Sequence, residues 1–249
     1  MTVATHRANT SSCQPITQLA PAAIVSIIPW HYRSPLQTSS QEKLRVRKQK
    51  TLHTQHLITQ HIANTYQVAN NTIRFKTTAS GKKWVQRIGH EHYAKLTHSP
   101  LHISISHTHA YSAFAICSHP VGIDLETTHP HRPFNHKLLP RLAHAFGQTE
   151  HTNDAPALLA HTAPNHNQQR ELAIKLWTYL EAHTKCYGQS MWKTLISPPT
   201  YPLTSTYQVH EKQAQSVYLL SPKPHHTLCV VHLDNTLPPT VNEMCSIYI

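Results

Sequence analysis

Leu101 to Glu126 reads LHISISHTHAYSAFAICSHPVGIDLE, and both of its ends alternate apolar and polar residues with a period of two. Leu101, Ile103 and Ile105 alternate with His102, Ser104 and Ser106; Val121, Ile123 and Leu125 alternate with Gly122, Asp124 and Glu126. That is the pattern of half-buried strands, each with one wet face. Between them Ala110 to Cys117 is a nearly continuous apolar run, and Ser118-His119-Pro120 is a turn expected to fold it back onto the Asp124 strand as a hairpin. Asp124 and Glu126 then project from one face, roughly 7 Å apart by two residues of strand rise. Two hard oxygen ligands so placed can share one Mg2+ ion and leave its other positions for water and a substrate phosphate. Taken alone, a D-x-E pair is also what an ordinary solvated strand edge carries.

Toward the N-terminus, Met1 to Gln18 is polar and aperiodic, so residues 1–20 are expected to form a mobile tail. Ala22 to Trp30 reads as a first strand. From Ser39 onward, QEKLRVRKQKTLHTQHLITQHIANTY is a basic helix that turns Leu57, Ile58 and Ile62 to a core and Lys43, Arg45, Arg47, Lys48 and Lys50 outward. Such a charge run suits a solvated face and a phosphate site equally well. Thr72 to Lys76 is a short strand, Ser80-Gly81-Lys82 a turn, and Trp84 to Ser99 an irregular connection into the central stretch.

Toward the C-terminus, Leu138, Leu139, Leu142 and Phe146 recur at helical spacing before Gly147. His151 to Gln169 is rich in Asn, His, Thr and Pro and reads as a surface insertion. Glu171 to Tyr187 is helical and stops at Gly188. On it Ala173, Trp177, Leu180 and Thr184 share one stripe, and Thr178, Glu181 and Lys185 another. By themselves Glu181 and Lys185 amount to an i, i+4 surface pair worth about 0.3 kcal/mol. Thr206 to Val209, Ser216 to Leu220 and Thr227 to Leu233 read as strands of a second sheet.

A chain of 249 residues can bury a real core as one large domain or two small ones. Its five cysteines, an odd number without a C-x-x-C pair, point away from a disulfide framework or a zinc ribbon and toward a reducing compartment. No window approaches the roughly 20 apolar residues of a membrane span, so no membrane partner and a cytoplasmic location are expected. The excess of 22 Lys and Arg over 11 Asp and Glu, a formal +11, favours anionic partners. The 24 histidines are scattered, and His90-Glu91-His92 lacks the spacing of a helical zinc site. Five glycines leave no Gly-rich phosphate loop, and ten tyrosines do not interleave with Lys and Arg as nucleic-acid stacking platforms would.

The pieces gain meaning from occurring together and in one order. FKTTASGKK from Phe75, SISHT from Ser104, VGIDLE from Val121, FGQTE from Phe146 and WTYLEAHTK from Trp177 resemble the 4'-phosphopantetheinyl transferases of the Sfp type. That family's pattern is approximately F-x-x-x-x-x-G-K-P, F-N-x-S-H-S, G-[IV]-D-[IL]-E, F-x-x-x-E and W-[ST]-x-K-E-[AS]-x-x-K. The resemblance spans Thr72 to Gly188, and the pairing of G-I-D-L-E with a later W-x-x-x-E-x-x-x-K is its specific part.

The resemblance implies that Asp124, Glu126 and Glu181 hold Mg2+ against the pyrophosphate of coenzyme A. It places Lys185 near the bridging oxygen of the leaving group, Ser106 and His107 on coenzyme A phosphates, and Gly81 and Lys82 near the adenine and ribose. Glu181, or a water polarised by the metal, is the implied base for the attacking serine of an apo acyl or peptidyl carrier protein. Three positions depart from the family: Leu180 stands where Lys is usual, Lys83 replaces the Pro of G-K-P, and Ser104 replaces the Asn before S-H. These bear on coenzyme A affinity, whereas the carboxylates and Lys185 are intact.

The implied fold is α+β: two similar α/β halves, residues 21–127 and 128–249, related by pseudo-twofold symmetry with the active site in the cleft between them. No repeat is visible residue by residue, and with both halves in one chain a monomer suffices. Two other classes share some of these features. A metal-dependent phosphohydrolase would use the same carboxylates without a carrier protein, and a basic nucleic-acid-binding module would use the same charge.

Overall fold

The computed structural model describes residues 23–31, 39–77, 83–87, 101–128, 142, 165–196, 208–210, 215–221, 225–233, 240–243 and 247–248. The tail of residues 1–20, the turn with Gly81 and Lys82, and Phe146 to Glu150 lie outside them. In chain order the elements are β1 (Ile24–His31), α1 (Ser40–Tyr66), β2 (Ile73–Thr77), β3 (Lys83–Arg87), β4 (Leu101–His107), β5 (Tyr111–Cys117) and β6 (Val121–Thr127). Then follow α2 (His166–Tyr187), α3 (Met191–Ile196), β7 (Gln208–His210), β8 (Gln215–Leu220), β9 (His226–His232), β10 (Thr240–Glu243) and β11 (Ile247–Tyr248). The protein is mixed α and β.

One sheet runs β10-β1-β5-β4-β3-β2 with β11 also paired to β1, and the other runs β6-β9-β8-β7. Pairing is antiparallel except where β10 and β11 join β1 in parallel. Side-chain alternation on β5 separates two cores. Phe114 and Ile116 meet Ile58 and Ile62 of α1, whereas Ala113, Ala115 and Cys117 face the second sheet. The small residues on that inner face let Ile123, Leu125, Leu228 and Val230 pack closely against it. On its far side the second sheet receives Tyr179, Ala182 and Cys186 of α2 against Val217, Cys229 and Val231. The layers therefore run helix, sheet, sheet, helix.

α2 begins five residues before the expected Glu171. Asn165 accepts from the Gln168 N–H and Gln168 reaches back to the Asn165 N–H, a reciprocal cap that turns part of the expected insertion into the first turn. Gly188, at φ 62°, ends the helix as expected. Leu180 is fully buried with Leu142, Ala173 and Leu176, flanked by Trp177 and Met191. An apolar residue at this departure from the family pattern is thus accounted for by packing. Leu142 is the one described residue of the helix expected around it.

Several expectations give way. β5 has β1 on one edge and β4 on the other, so no edge remains for β6, and the chain leaves the first sheet for the second at Ser118-His119-Pro120 instead of forming a hairpin. β6 has no wet face from Val121 to Leu125, because α2 covers Gly122 and Asp124. Trp84 to Arg87, expected to open an irregular connection, instead belongs to the strand Lys83–Arg87 between β2 and β4. Lys50 points inward: its ammonium donates to the carbonyls of Thr108 and His109 (3.2 and 2.5 Å), lies 5.7 Å from the centre of the Trp30 ring, and is pushed to a lower pKa by burial. Strands from both sides of residue 127 contribute to each sheet, since β6 joins β7 to β9 while β10 and β11 return to β1.

Candidate active site

The site forms where α2 crosses β6, and Gly122 permits the crossing. A Cβ at Gly122 would run into the Ala182 carbonyl and the Cys186 N–H, so only glycine allows the helix to come this close. Two residues along, Asp124 points to the same helix. Its Oδ1 receives the Lys185 ammonium at 2.7 Å, and Lys185 also donates to the Ile123 carbonyl at 3.2 Å. Glu181, one turn earlier on α2, stands 3.5 Å from the same ammonium. Asp124 is 2% exposed, whereas the Glu181 and Lys185 side chains are 26% and 32% exposed, so the cluster has a buried floor and an open rim.

The charges act on one another accordingly. Burial, reinforced by the negative charge of Asp124 and by Glu126, pushes Glu181 up to about 7 despite the opposing ammonium. Burial disfavours the charged form of Lys185, but Asp124 and Glu181 outweigh it and hold its pKa above the ordinary value. Beneath them Cys229, paired with Asp124 across β6 and β9, is driven well up by burial and by the Asp124 charge, and so stays a thiol. On the next turn His183 stacks on Tyr187 with ring centres 4.4 Å apart, and burial lowers its pKa to about 4.

Five of the residues singled out from the sequence come together here: Ser106, Asp124, Glu126, Glu181 and Lys185. Ser106 lies inside the contact, its hydroxyl donating to Asp124 Oδ1 at 2.8 Å and accepting from the Leu125 N–H at 3.1 Å. His107, the next residue, turns to the opposite face of β4, where its Nδ1 is 2.6 Å from Ser112 Oγ, itself the acceptor for the Trp30 indole at 2.6 Å. Gly81 and Lys82 lie outside the described residues. Ser104 was read from the sequence as a polar position of its strand and a departure from the family, without a site role, yet it makes the companion contact, accepting from the Ile123 N–H at 2.9 Å. Its signal was the alternation itself, two serines spaced to serve alternate N–H groups of one strand.

No three His, Cys, Asp or Glu groups among the described residues are gathered into a metal shell as the side chains lie. The Lys185 ammonium instead bridges Asp124 and Glu181. The donor set still suits a hard dication: the Asp124 and Glu181 carboxyls lie side by side, the charge of Glu126 reaches Glu181, and Asp124 Oδ2 is buried without an N–H or hydroxyl donor among the described residues. Compared with known proteins, the chain matches no family model and no curated sequence.

Proposed function

We propose that this protein transfers the 4'-phosphopantetheine group of coenzyme A to a serine of an apo acyl or peptidyl carrier protein, releasing 3',5'-ADP, as a Mg2+-dependent cytoplasmic monomer. The observation that carries the reading is the meeting of Asp124 with Glu181 and Lys185, residues some sixty positions apart in sequence, at the one crossing that Gly122 opens. A surface ion pair needs no such arrangement. An architecture of two related halves with the site between them belongs to the same reading.

In this reading Asp124, Glu126 and Glu181 would hold Mg2+, which when bound offsets the negative charge of the pyrophosphate. The carrier serine oxygen attacks the phosphorus that bears pantetheine. As the new P–O bond forms, the bond to the bridging oxygen breaks, and that oxygen leaves with the electron pair on 3',5'-ADP. Lys185 neutralises the charge developing there. Glu181 in its ionised form, or a water that the metal would polarise, accepts the serine proton. The basic exposed residues Arg45, Arg47 and Lys48 suit the anionic substrates.

Chromatography of the nucleotide products tests the assignment against the phosphohydrolase reading. The expected result is 3',5'-ADP formed only when coenzyme A, Mg2+ and an apo carrier protein are all present. Coenzyme A breakdown at the same rate without carrier protein would overturn it.

A further inference from the structure

β6 is the edge strand of its sheet, and an edge leaves alternate N–H groups without a ladder partner. Here two of them, Ile123 and Leu125, are accepted by Ser104 and Ser106, whose side chains rise from the inner face of β4. All four residues belong to the interior, so each N–H would be an orphaned donor without its serine. The two hydroxyls share a job but differ in one respect. Ser106 also donates to Asp124 Oδ1, whereas Ser104 makes no contact with a carboxylate.

The consequence lies at Asp124. Its Oδ1 accepts from both Ser106 and Lys185, while its Oδ2 is buried and, among the described residues, receives no N–H or hydroxyl donor, the Glu181 carboxyl being the one group that can share a proton with Asp124. A carboxylate anchored through one oxygen by two donors has its rotation about χ2 set, and the other oxygen is left to a ligand. We infer that Ser106 is a positioning residue: it fixes Asp124 so that Oδ2 alone is presented to the divalent cation, rather than itself binding a coenzyme A phosphate. Ser106 is 6% exposed and both roles of its hydroxyl are taken, which leaves it poorly placed to meet a phosphate directly. The inference rests on the reading of Asp124 as a metal ligand.

The matched pair Ser104→Ala and Ser106→Ala separates positioning from mere stitching, with Ser106→Thr keeping the hydroxyl. Binding of Mn2+ to the free protein is read by electron paramagnetic resonance, coenzyme A affinity by calorimetry, and folding by thermal melting. Both alanine variants are expected to melt lower, since each orphans one N–H, and Ser106→Ala by more, because it also loses its bond to the Asp124 carboxylate. Only Ser106→Ala should weaken Mn2+ binding, by about 10-fold or more, the usual cost of losing a group that orients a ligand. Ser106→Thr should restore it, and coenzyme A affinity measured without divalent metal should stay within twofold in all three. Equal Mn2+ binding in wild type and Ser106→Ala, or a loss confined to coenzyme A, overturns the positioning role. Absence of Mn2+ binding in the wild type would overturn the metal reading itself, and the inference with it.

Discussion

Glu181 is the residue whose behaviour separates a functional cluster from a surface ion pair. Its pKa is raised from the ordinary carboxylate value to about 7, so between roughly pH 4.5 and 7 the folded chain holds a proton that the unfolded chain has lost. Stability tied to Glu181 is complete below that window and is lost as pH rises through 7. His183 acts in the opposite direction: with its pKa lowered to about 4, it contributes stability above its unfolded value near 6.5 and loses it as pH falls. The two trends overlap, so wild type alone will not display either. The difference between Glu181→Gln and wild type does, because the amide never ionises. In metal-free buffer the variant should gain relative stability from pH 5 to pH 8, by on the order of 2 kcal/mol, measured by denaturant unfolding. A flat difference would mean that Glu181 is solvated like any surface carboxylate. A two-residue strand step made it legible that Asp124 and Glu126 share a face, and a four-residue helix step that Glu181 and Lys185 do; that Asp124 belongs with the helix pair was implied only by the family resemblance. The contacts of Ser106 were not legible, because alternation tells which way a side chain points but not what another sheet brings opposite it.

Between the elements, the decisive contact is α2 on β6. Gly122→Ala places a methyl group against helix backbone, where no flexible side chain can move aside. The helix must shift, and overpacking of this kind costs about 1–3 kcal/mol or more. Because the same contact brings Lys185 and Glu181 to Asp124, the variant should lose transfer activity more completely than it loses stability, as seen by comparing turnover with the denaturation midpoint. Activity near wild type would show that the close approach does not matter to the site. α2 itself was readable from its apolar spacing and from Gly188, although its start was missed because the Asn165 cap sits in a polar stretch that resembles a loop. The partners of β5 were not readable. A turn signal such as Ser118-His119-Pro120 marks where a strand ends, and an apolar run long enough to be central has already spent both edges on strands from elsewhere in the chain. β10 and β11 went unrecognised for a related reason, as short segments defined by pairing with β1 rather than by a period of their own.

At the scale of the whole molecule, the mixed α and β class was visible in the alternating patterns, while the helix, sheet, sheet, helix layering was not. Layer order depends on which face of each sheet carries small residues, as Ala113 and Ala115 do on β5, and that acquires meaning only once the opposing sheet is known. The same layering brings strand-borne Asp124 and helix-borne Glu181 and Lys185 into one open-rimmed cluster, and the transferase proposal stands on what that cluster does. The most direct test is the intact mass of the acceptor. Apo carrier proteins of fatty-acid, polyketide and nonribosomal peptide type are incubated with coenzyme A, Mg2+ and either wild type or Asp124→Asn. At least one carrier is expected to gain the mass of a single 4'-phosphopantetheine group with wild type and none with the variant. Unchanged mass for every carrier with folded wild-type protein, or equal modification by Asp124→Asn, would contradict the account.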